Sequence, residues 1–329
     1  MTITKTYTAL FAAAIVLFSM NSCSKTYEDQ TPSIATIAVS NTDFSLLEGA
    51  AVKGGLAIAL ANKNPNDAAG NYTVFAPNNA AFARLGFNTE GSLGALQTSF
   101  LTNTLLYHVS NGTLSGKDIT AGNTSVSALM VSRRFINRGI DRYINGSKIV
   151  GTDVAASNGT VHVIDKVLLA TGVDIVQSAL SLRDLRVFTT PELSFLVEAL
   201  VYTDLVGALT ASAGSPSFTV FAPTDAAFKE LGVLLNVPLS IPSDIRKIDK
   251  ETVKKVLLNH VISNSGKFTS EMNAGSVMPL GGVALTIGDF NNGVLTIKGK
   301  NNAVVANMVI PDVLTKNGVV HVIDRVLLP

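Results

Sequence analysis

The residues of this chain that could do chemistry are four histidines and two nearby aspartates. The histidines are His108, His162, His260 and His321. His162 precedes Asp165 by three positions in "NGTVHVIDKVLL", and His321 precedes Asp324 by three in "NGVVHVIDRVLL". A His and an Asp present in two copies could form a catalytic pair, half of a metal site or part of a scaffold.

The spacing favours the scaffold role. A zinc site needs three or four ligands, and each copy offers two histidines with no cysteine nearby. A Ser-His-Asp triad of the hydrolase type needs a G-x-S-x-G turn, which the sequence lacks. "VVHVID" is rich in β-branched residues and predicts a strand, in which an offset of three places the His and the Asp on opposite faces. We therefore predict structural histidines, and no catalytic residue, metal or cofactor.

The segments around these residues occur twice, in the same order. "TVFAPNNAAFARLG" from Thr73 matches "TVFAPTDAAFKELG" from Thr219, and "LLYHV" from Leu105 matches "LLNHV" from Leu257. With the two His-Asp segments, the offsets between copies are 146, 152 and 159 residues. So long a period indicates two tandem domains rather than a solenoid repeat.

Each copy begins with helical patterns and ends with strand patterns. Apolar residues recur at helical spacing over 44–61 and 193–210. "TVF" predicts a strand, and Asn79 and Asp225 after it suit helix capping. Asn145-Gly146 is a typical hairpin turn. This order predicts an α+β fold.

The three repeated segments resemble the signature boxes of the fasciclin (FAS1) domain, and the resemblance covers most of the chain. It implies two tandem domains, each a wedge of twisted β-sheet with packed helices, at residues 38–170 and 188–329, joined by a linker at 171–187. It also implies a secreted or cell-surface protein of adhesion or matrix type, without enzymatic activity.

The N-terminus is typical of an exported protein. Lys5 and a short apolar stretch over 9–18 predict a signal peptide at residues 1–22. The only cysteine, Cys23, ends "SMNSC", which resembles a bacterial lipobox and implies lipidation at Cys23, a polar tether at 23–37 and the outer membrane of a Gram-negative bacterium. The alternative is an ordinary secretory signal with an incidental cysteine. The net charge of +1 argues against nucleic acid as a partner.

Two motifs are candidates for binding. Asp312-Val313, and Asp153-Val154 at the equivalent place in the first copy, resemble an integrin-contacting Asp-Ile of animal family members, with Val in place of Ile. The alternative interpretation is a turn residue at the end of a strand. The sequence defines neither the ligand nor the oligomeric state.

A basic cluster is the second candidate. "SRRFINRGIDR" holds Arg133, Arg134, Arg138 and Arg142. Arginine and aromatic side chains suit acidic glycans or a partner protein, whereas a solvated strand edge is the plainer interpretation. We predict adhesion to extracellular polymer or protein, with an accessory ligand-binding lipoprotein of glycan uptake as the alternative.

Overall fold

The computed structural model describes residues 31–184, 192–212, 214, 216–291 and 293–329. The predicted signal peptide and Cys23 lie outside the described residues. Thr31–Pro329 forms one compact unit that contains both repeats. Among the described residues, no helix combines the length and apolarity needed to span a membrane.

The first domain places its helices mainly before its strands. The helices are α1 (Ile34–Ser40), α2 (Ser45–Lys53), α3 (Ala57–Ala61), α4 (Asn79–Ala83) and α5 (Thr98–His108), with 3-10 turns at Thr42–Phe44, Glu90–Ala95 and Gly116–Asp118. The strands are β1 (Tyr72–Pro77), β2 (Val109–Asn111), β3 (Thr124–Val126), β4 (Ser132–Arg138), β5 (Asp141–Ile144), β6 (Ser147–Ala156) and β7 (Gly159–Ile164).

The second domain repeats this order. Strand β8 (Leu169–Ala170) precedes the helices α6 (Ile175–Asp184), α7 (Ser194–Tyr202), α8 (Val206–Leu209), α9 (Asp225–Leu234) and α10 (Lys250–Leu258), and there are 3-10 turns at Pro242–Lys247 and Thr269–Glu271. The later strands are β9 (Phe218–Pro223), β10 (Val261–Ile262), β11 (Gly275–Val277), β12 (Leu285–Ile287), β13 (Thr296–Lys298), β14 (Ala306–Thr315) and β15 (Gly318–Ile323).

The two sheets have the same topology. The strand order is β2-β1-β7-β6-β5-β4-β3 in domain 1 and β10-β9-β15-β14-β13-β12-β11 in domain 2, with β8 paired to β14. The pairs β1–β7 and β9–β15 are parallel, and the other pairs within these paths are antiparallel. The predicted α+β fold with tandem twisted sheets and packed helices is confirmed.

The central strands carry two apolar faces. In β1, Val74 belongs to a core built with helices α1, α2 and α5, whereas the adjacent Phe75 packs with Phe135, Ile144 and Ile164 of the curled strands. This alternation follows from the period of two in a strand. It explains why "TVFAP" is entirely buried in both copies.

The predicted linker belongs in large part to domain 2. Helix α6 buries Ile175, Val176, Ala179 and Leu182 in the core of that domain. The Ile175 N–H donates to Asn317 Oδ1 at 3.0 Å, as the Ile34 N–H of α1 donates to Asn158 Oδ1 at 2.9 Å. Helix α1 therefore starts four residues before the predicted domain start at 38, and helix α6 starts thirteen residues before the predicted domain start at 188.

The predicted caps are displaced by one residue. Asn78 and Thr224 are the N-caps of α4 and α9, because their side chains accept from the N–H three residues on. The Asn79 side chain instead accepts from Leu46 N–H at 3.0 Å, and that of Asp225 from Phe195 N–H at 2.9 Å. These two side chains join α4 to α2 and α9 to α7, a role that local sequence does not indicate.

Candidate functional site

His108 and His260 connect the end of a helix to the chain that leaves the last strand. The Nδ1 of His108 donates to Thr104 O at 2.7 Å, and its Nε2 accepts from Leu168 N–H at 2.9 Å. His260 makes the same two bonds, to Val256 O at 2.8 Å and from Leu327 N–H at 2.8 Å. Burial lowers the pKa of each imidazole to about 4, so both are neutral at physiological pH.

His162 and His321 hold a turn in the strand beside them. Nδ1 accepts from the N–H of Asp153 at 3.3 Å in domain 1 and of Asp312 at 3.1 Å in domain 2. Nε2 donates to Leu114 O at 2.9 Å and to Lys267 O at 3.0 Å, respectively. Burial lowers the pKa of both rings. With both nitrogens of a neutral ring in use, neither is positioned as a general base.

The aspartates of the His-x-x-Asp segments contact other partners. Asp165 Oδ1 accepts from Lys148 N–H at 2.7 Å, and Asp324 Oδ1 accepts from Asn307 N–H at 2.7 Å. Across the described residues, there is no cluster of three or more His, Cys, Asp or Glu side chains that could hold a metal ion. In each segment the His and the Asp therefore contact different partners.

Arg133 is not part of an exposed basic surface. Its side chain is fully buried, and it donates to Tyr107 O at 2.7 Å, to Ser125 Oγ at 3.1 Å and to Ser110 Oγ. The guanidinium also lies 5.0 Å from the centre of the Phe75 ring. Burial lowers its pKa to about 10. This arginine links the end of α5 to strands β3 and β4.

Arg134 and Arg138 cross to domain 2. Arg134 donates to Gly266 O at 2.5 Å and pairs with Glu271 at 3.1 Å, and its guanidinium lies 4.5 Å from the Phe268 ring centre. Arg138 donates to two carbonyls at the 3-10 turn Thr269–Glu271, 3.0 Å and 2.7 Å away. These two arginines therefore contact the neighbouring domain.

Arg142, the fourth member of the predicted basic surface, donates to Gly116 O within domain 1. Each of the four arginines is thus engaged by the protein itself. This segment lies where the curled sheet of domain 1 meets domain 2, and its arginines make long-range polar contacts that pack the protein. The four arginines therefore do not form the exposed binding surface that the sequence predicted.

Asp312 and Val313 lie in the same domain interface. Asp312 pairs with Lys166 of domain 1 at 3.0 Å, and both side chains are 9% exposed. The Asp312 carboxylate also accepts from Thr269 N–H at 2.6 Å and Thr269 Oγ1 at 2.7 Å. Burial alone would raise the pKa of Asp312, but Lys166 and its other partners outweigh burial and hold that pKa below its usual value. Neither Asp312 nor the fully buried Val313 is accessible to a ligand.

The equivalent turn in domain 1 is open to solvent. Asp153 has φ 60°, close to the 69° of Asp312, and its Oδ1 accepts from Gly116 N–H at 2.7 Å. Val154, however, is 38% exposed, whereas Val313 is fully buried. The structure therefore separates two motifs that the sequence could not distinguish, and it leaves Asp153-Val154 as the accessible one.

The sequence did not identify Lys166 or strand β8 as interface elements. Leu169 and Ala170 of β8 pair in parallel with Val313 and Leu314 of β14, so the chain leaving domain 1 extends the sheet of domain 2. A basic residue follows "VHVID" in both copies, which was the available signal for Lys166. Nothing in its local sequence indicates a carboxylate partner 146 residues away.

The two repeated α+β units are joined through buried and partly buried polar contacts. The Fasciclin domain family model matches residues 42–170 and 191–329, so the chain belongs to this family. It is 30% identical over 267 residues to transforming growth factor-beta-induced protein ig-h3 of Sus scrofa, which covers 79% of this chain and 35% of the relative.

One further curated relative and one solved structure are similar to this chain. Human periostin is 29% identical over 271 residues, covering 79% of this chain and 28% of periostin. The solved FAS1 domain pair of the insect cell adhesion molecule fasciclin I is similar at 18% identity and a TM-score of 0.37, covering 90% of this chain and 96% of that one. The chain thus spans about a third of the length of these two curated relatives.

Proposed function

We propose that this chain is a non-enzymatic cell-surface protein that binds extracellular protein or polymer through its fasciclin domains. The carrying observation is the unequal exposure of the two Asp-Val turns. In domain 1, Asp153 and Val154 lie at the surface. In domain 2, Asp312 and Val313 are buried, and Asp312 pairs with Lys166 of domain 1. The chain also belongs to the fasciclin family, and the resemblance to that family implies adhesion, which supports this class of function.

The Asp153 turn is preorganised for contact. The bond to His162 holds its backbone, and the bond from Gly116 holds one carboxylate oxygen. An exposed carboxylate beside an exposed apolar side chain suits a partner that offers a basic group next to an apolar surface. Because the turn is fixed before binding, little conformational entropy is lost when the partner docks.

A binding assay with immobilised extracellular material from the source cells tests this proposal. We expect Asp153→Asn combined with Val154→Ser to weaken binding about ten-fold, the effect of losing a moderate contact residue. Asp204→Asn is the matched control, since Asp204 is also exposed and has φ 57°. Equal binding by the double variant and the unchanged chain would remove Asp153-Val154 from the function.

The alternative function, an accessory protein of glycan uptake, rested on an exposed arginine surface that the structure does not contain among these residues. Arg133 is buried, and Arg134 and Arg138 bind domain 2. A glycan array still separates the two functions. Tight binding of one defined oligosaccharide would favour the accessory role over adhesion.

We also propose that lipid at Cys23 anchors the chain to the outer membrane of a Gram-negative bacterium. The support is the lipobox-like "SMNSC" and the polar residues that follow it. Radiolabelled palmitate should enter the unchanged chain and not the Cys23→Ala variant. A Cys23→Ala chain that stays in the membrane fraction would contradict lipid anchoring.

A further inference from the structure

The interface between the two domains joins two different faces. Domain 1 contributes what we call its leading face, formed by helix α4 with Leu85 and by Lys166 and Val167. Domain 2 contributes its receiving face, formed by residues 293–295 and by Met308–Asp312 of β14. A contact between unlike faces is heterologous, and it can repeat from molecule to molecule.

Each domain carries a copy of both faces, because the two folds coincide. His162 and His321 make equivalent bonds, and the bulges of β6 and β14 fall at equivalent positions. The leading face of domain 2 is therefore α9 with Arg325 and Val326, and the receiving face of domain 1 is Ile149–Asp153. Asp153 on the second of these faces bonds to Gly116 and His162 of its own domain, and Arg325 on the first pairs with Glu230 of its own domain.

Both unused faces expose large apolar side chains. On the leading face of domain 2, Val233 is 82% exposed, Leu234 67% and Val304 54%. On the receiving face of domain 1, Val150 is 51% exposed, and Ile140, in the hairpin turn next to it, is 100% exposed. On the internal receiving face, Val309, the equivalent of Val150, is 40% exposed, and Val294 is 46% exposed. The unused faces therefore carry apolar surface of the same kind as the internal contact, and clustered exposed apolar groups of this kind indicate a docking surface.

The charges at the two unused faces are complementary as well. Arg325 occupies the position of Lys166, and Asp153 occupies that of Asp312. The Arg325 guanidinium pairs with Glu230, and its buried Nε has no acceptor among the described residues. An Arg325–Asp153 contact between two molecules would therefore repeat the Lys166–Asp312 pair.

One difference separates the two leading faces. The connection between β5 and β6 in domain 1 is the two-residue turn Asn145-Gly146, whereas residues 299–305 connect β13 to β14 in domain 2. This longer loop exposes Val304 and Val305, at 54% and 39%. It enlarges the apolar area of the outer face of domain 2, so the contact between molecules would be related to the internal one without copying it.

We propose that the leading face of domain 2 docks on the receiving face of domain 1 of a second copy of this chain. The occupant is a second copy because the faces that match are both present, once each, on every molecule. This inference rests on the proposed function, to which it adds that the partner of the Asp153 surface is the protein itself. Repetition of the contact makes linear, open-ended assemblies or closed rings.

Sedimentation of the full chain carrying Cys23→Ala, over a wide concentration range, tests the proposal. We expect the average mass to rise with concentration. Leu234→Glu should block the leading face and Val150→Glu the receiving face, each raising the dissociation constant roughly ten-fold or more. Ile58→Glu, on α3 and 80% exposed, is the control that should associate like the unchanged chain. Both test positions are at least half exposed, so thermal melting should be preserved.

Mixing the two blocked variants gives the decisive readout. Each variant alone should be monomeric, whereas the mixture should form a dimer that grows no further, because one unblocked face remains on each molecule. A chain that is monomeric at all concentrations, or a mixture that stays monomeric, would overturn the proposal. Monomeric chains that still bind extracellular material would refute self-association and leave the proposed adhesion intact.

Discussion

Removal of the Lys166 ammonium should destabilise the whole two-domain unit. Lys166 Nζ lies 3.0 Å from Asp312 Oδ2 and 3.2 Å from Thr269 Oγ1, and the charged pair is 9% exposed on each side. Coulomb's law with an effective dielectric constant of about 20 gives about 5.5 kcal/mol for unit charges at this distance, before the cost of desolvation. Breaking one side of a buried pair costs about 3–5 kcal/mol, because the other charge stays buried without compensation.

We therefore expect Lys166→Met to lower the free energy of unfolding by about 3–5 kcal/mol. Adding Asp312→Asn should restore part of the loss, because it removes the uncompensated carboxylate and Asn tolerates the positive φ at this position. The coupling energy of this double-mutant cycle should fall between about 0.5 and 3 kcal/mol. Urea unfolding, followed by circular dichroism at neutral pH, measures all four forms.

The same pair predicts a dependence on pH. The pKa of folded Asp312 is below that of an unfolded aspartate, so its contribution to stability is complete above the unfolded pKa and is lost as the pH falls through the folded value. Without Lys166 the folded pKa should rise, and acid sensitivity should begin at a higher pH. The Lys166→Met variant should thus lose stability first as the solution is acidified.

Lys148→Met is the matched control for this experiment. Lys148 pairs with Asp141 at 2.7 Å, but their side chains are 30% and 37% exposed. An exposed pair contributes about 0–1 kcal/mol. A Lys166→Met variant that loses no more stability than Lys148→Met, together with a coupling energy near zero, would refute the view that this ion pair holds the domains together.

Three further predictions concern buried groups. Folded His108 and His260 have a pKa of about 4, so their contribution to stability should be complete above about pH 6.5, the unfolded pKa, and decline as the pH falls toward 4. Urea midpoints measured across this range test this prediction, and a His108→Gln/His260→Gln chain should show a flatter pH profile. Gly146→Ala should cost about 1–3 kcal/mol, because a Cβ there would lie 1.9 Å from an Asp312 carboxylate oxygen; thermal melting no lower than that of Gly94→Ala, at a glycine with open space around it, would contradict this. Arg133→Met should cost about 1–3 kcal/mol for each buried acceptor left without a donor. Calorimetry should show no such loss for Lys117→Met, which removes an exposed cation of the same domain.

The separation of His321 from Asp324 was predictable from local sequence. "VHVID" has the β-branched composition of a strand, and a period of two separates His321 from Asp324. In the structure His321 bonds to Lys267 and Asp312, and Asp324 bonds to Asn307. The alternation of side chains along one strand is enough to separate the two residues, and local backbone geometry determines that alternation.

The bonding partners of the capping residues and of the arginines could not be predicted from local sequence. Asn79 was expected to cap its own helix, but its side chain accepts from Leu46 N–H in the first turn of α2, 33 residues earlier. Arg134 and Arg138 were candidates for ligand binding, with a solvated strand edge as the alternative, but their partners lie 132 to 134 residues further along the chain. Polar side chains have many possible partners, and the choice among them depends on which surfaces folding brings together.

By itself, the sequence determined that two copies of one α+β unit follow each other, because repeated apolar periodicity and repeated turns are local properties. It could not rank Asp153-Val154 against Asp312-Val313, since both motifs are Asp-Val pairs that stand just before the last repeated segment of their copy. The tertiary structure decided between them by docking Lys166 and β8 of the first domain onto the second. Burial is a property of both partners in a contact, and here the partners lie 146 residues apart.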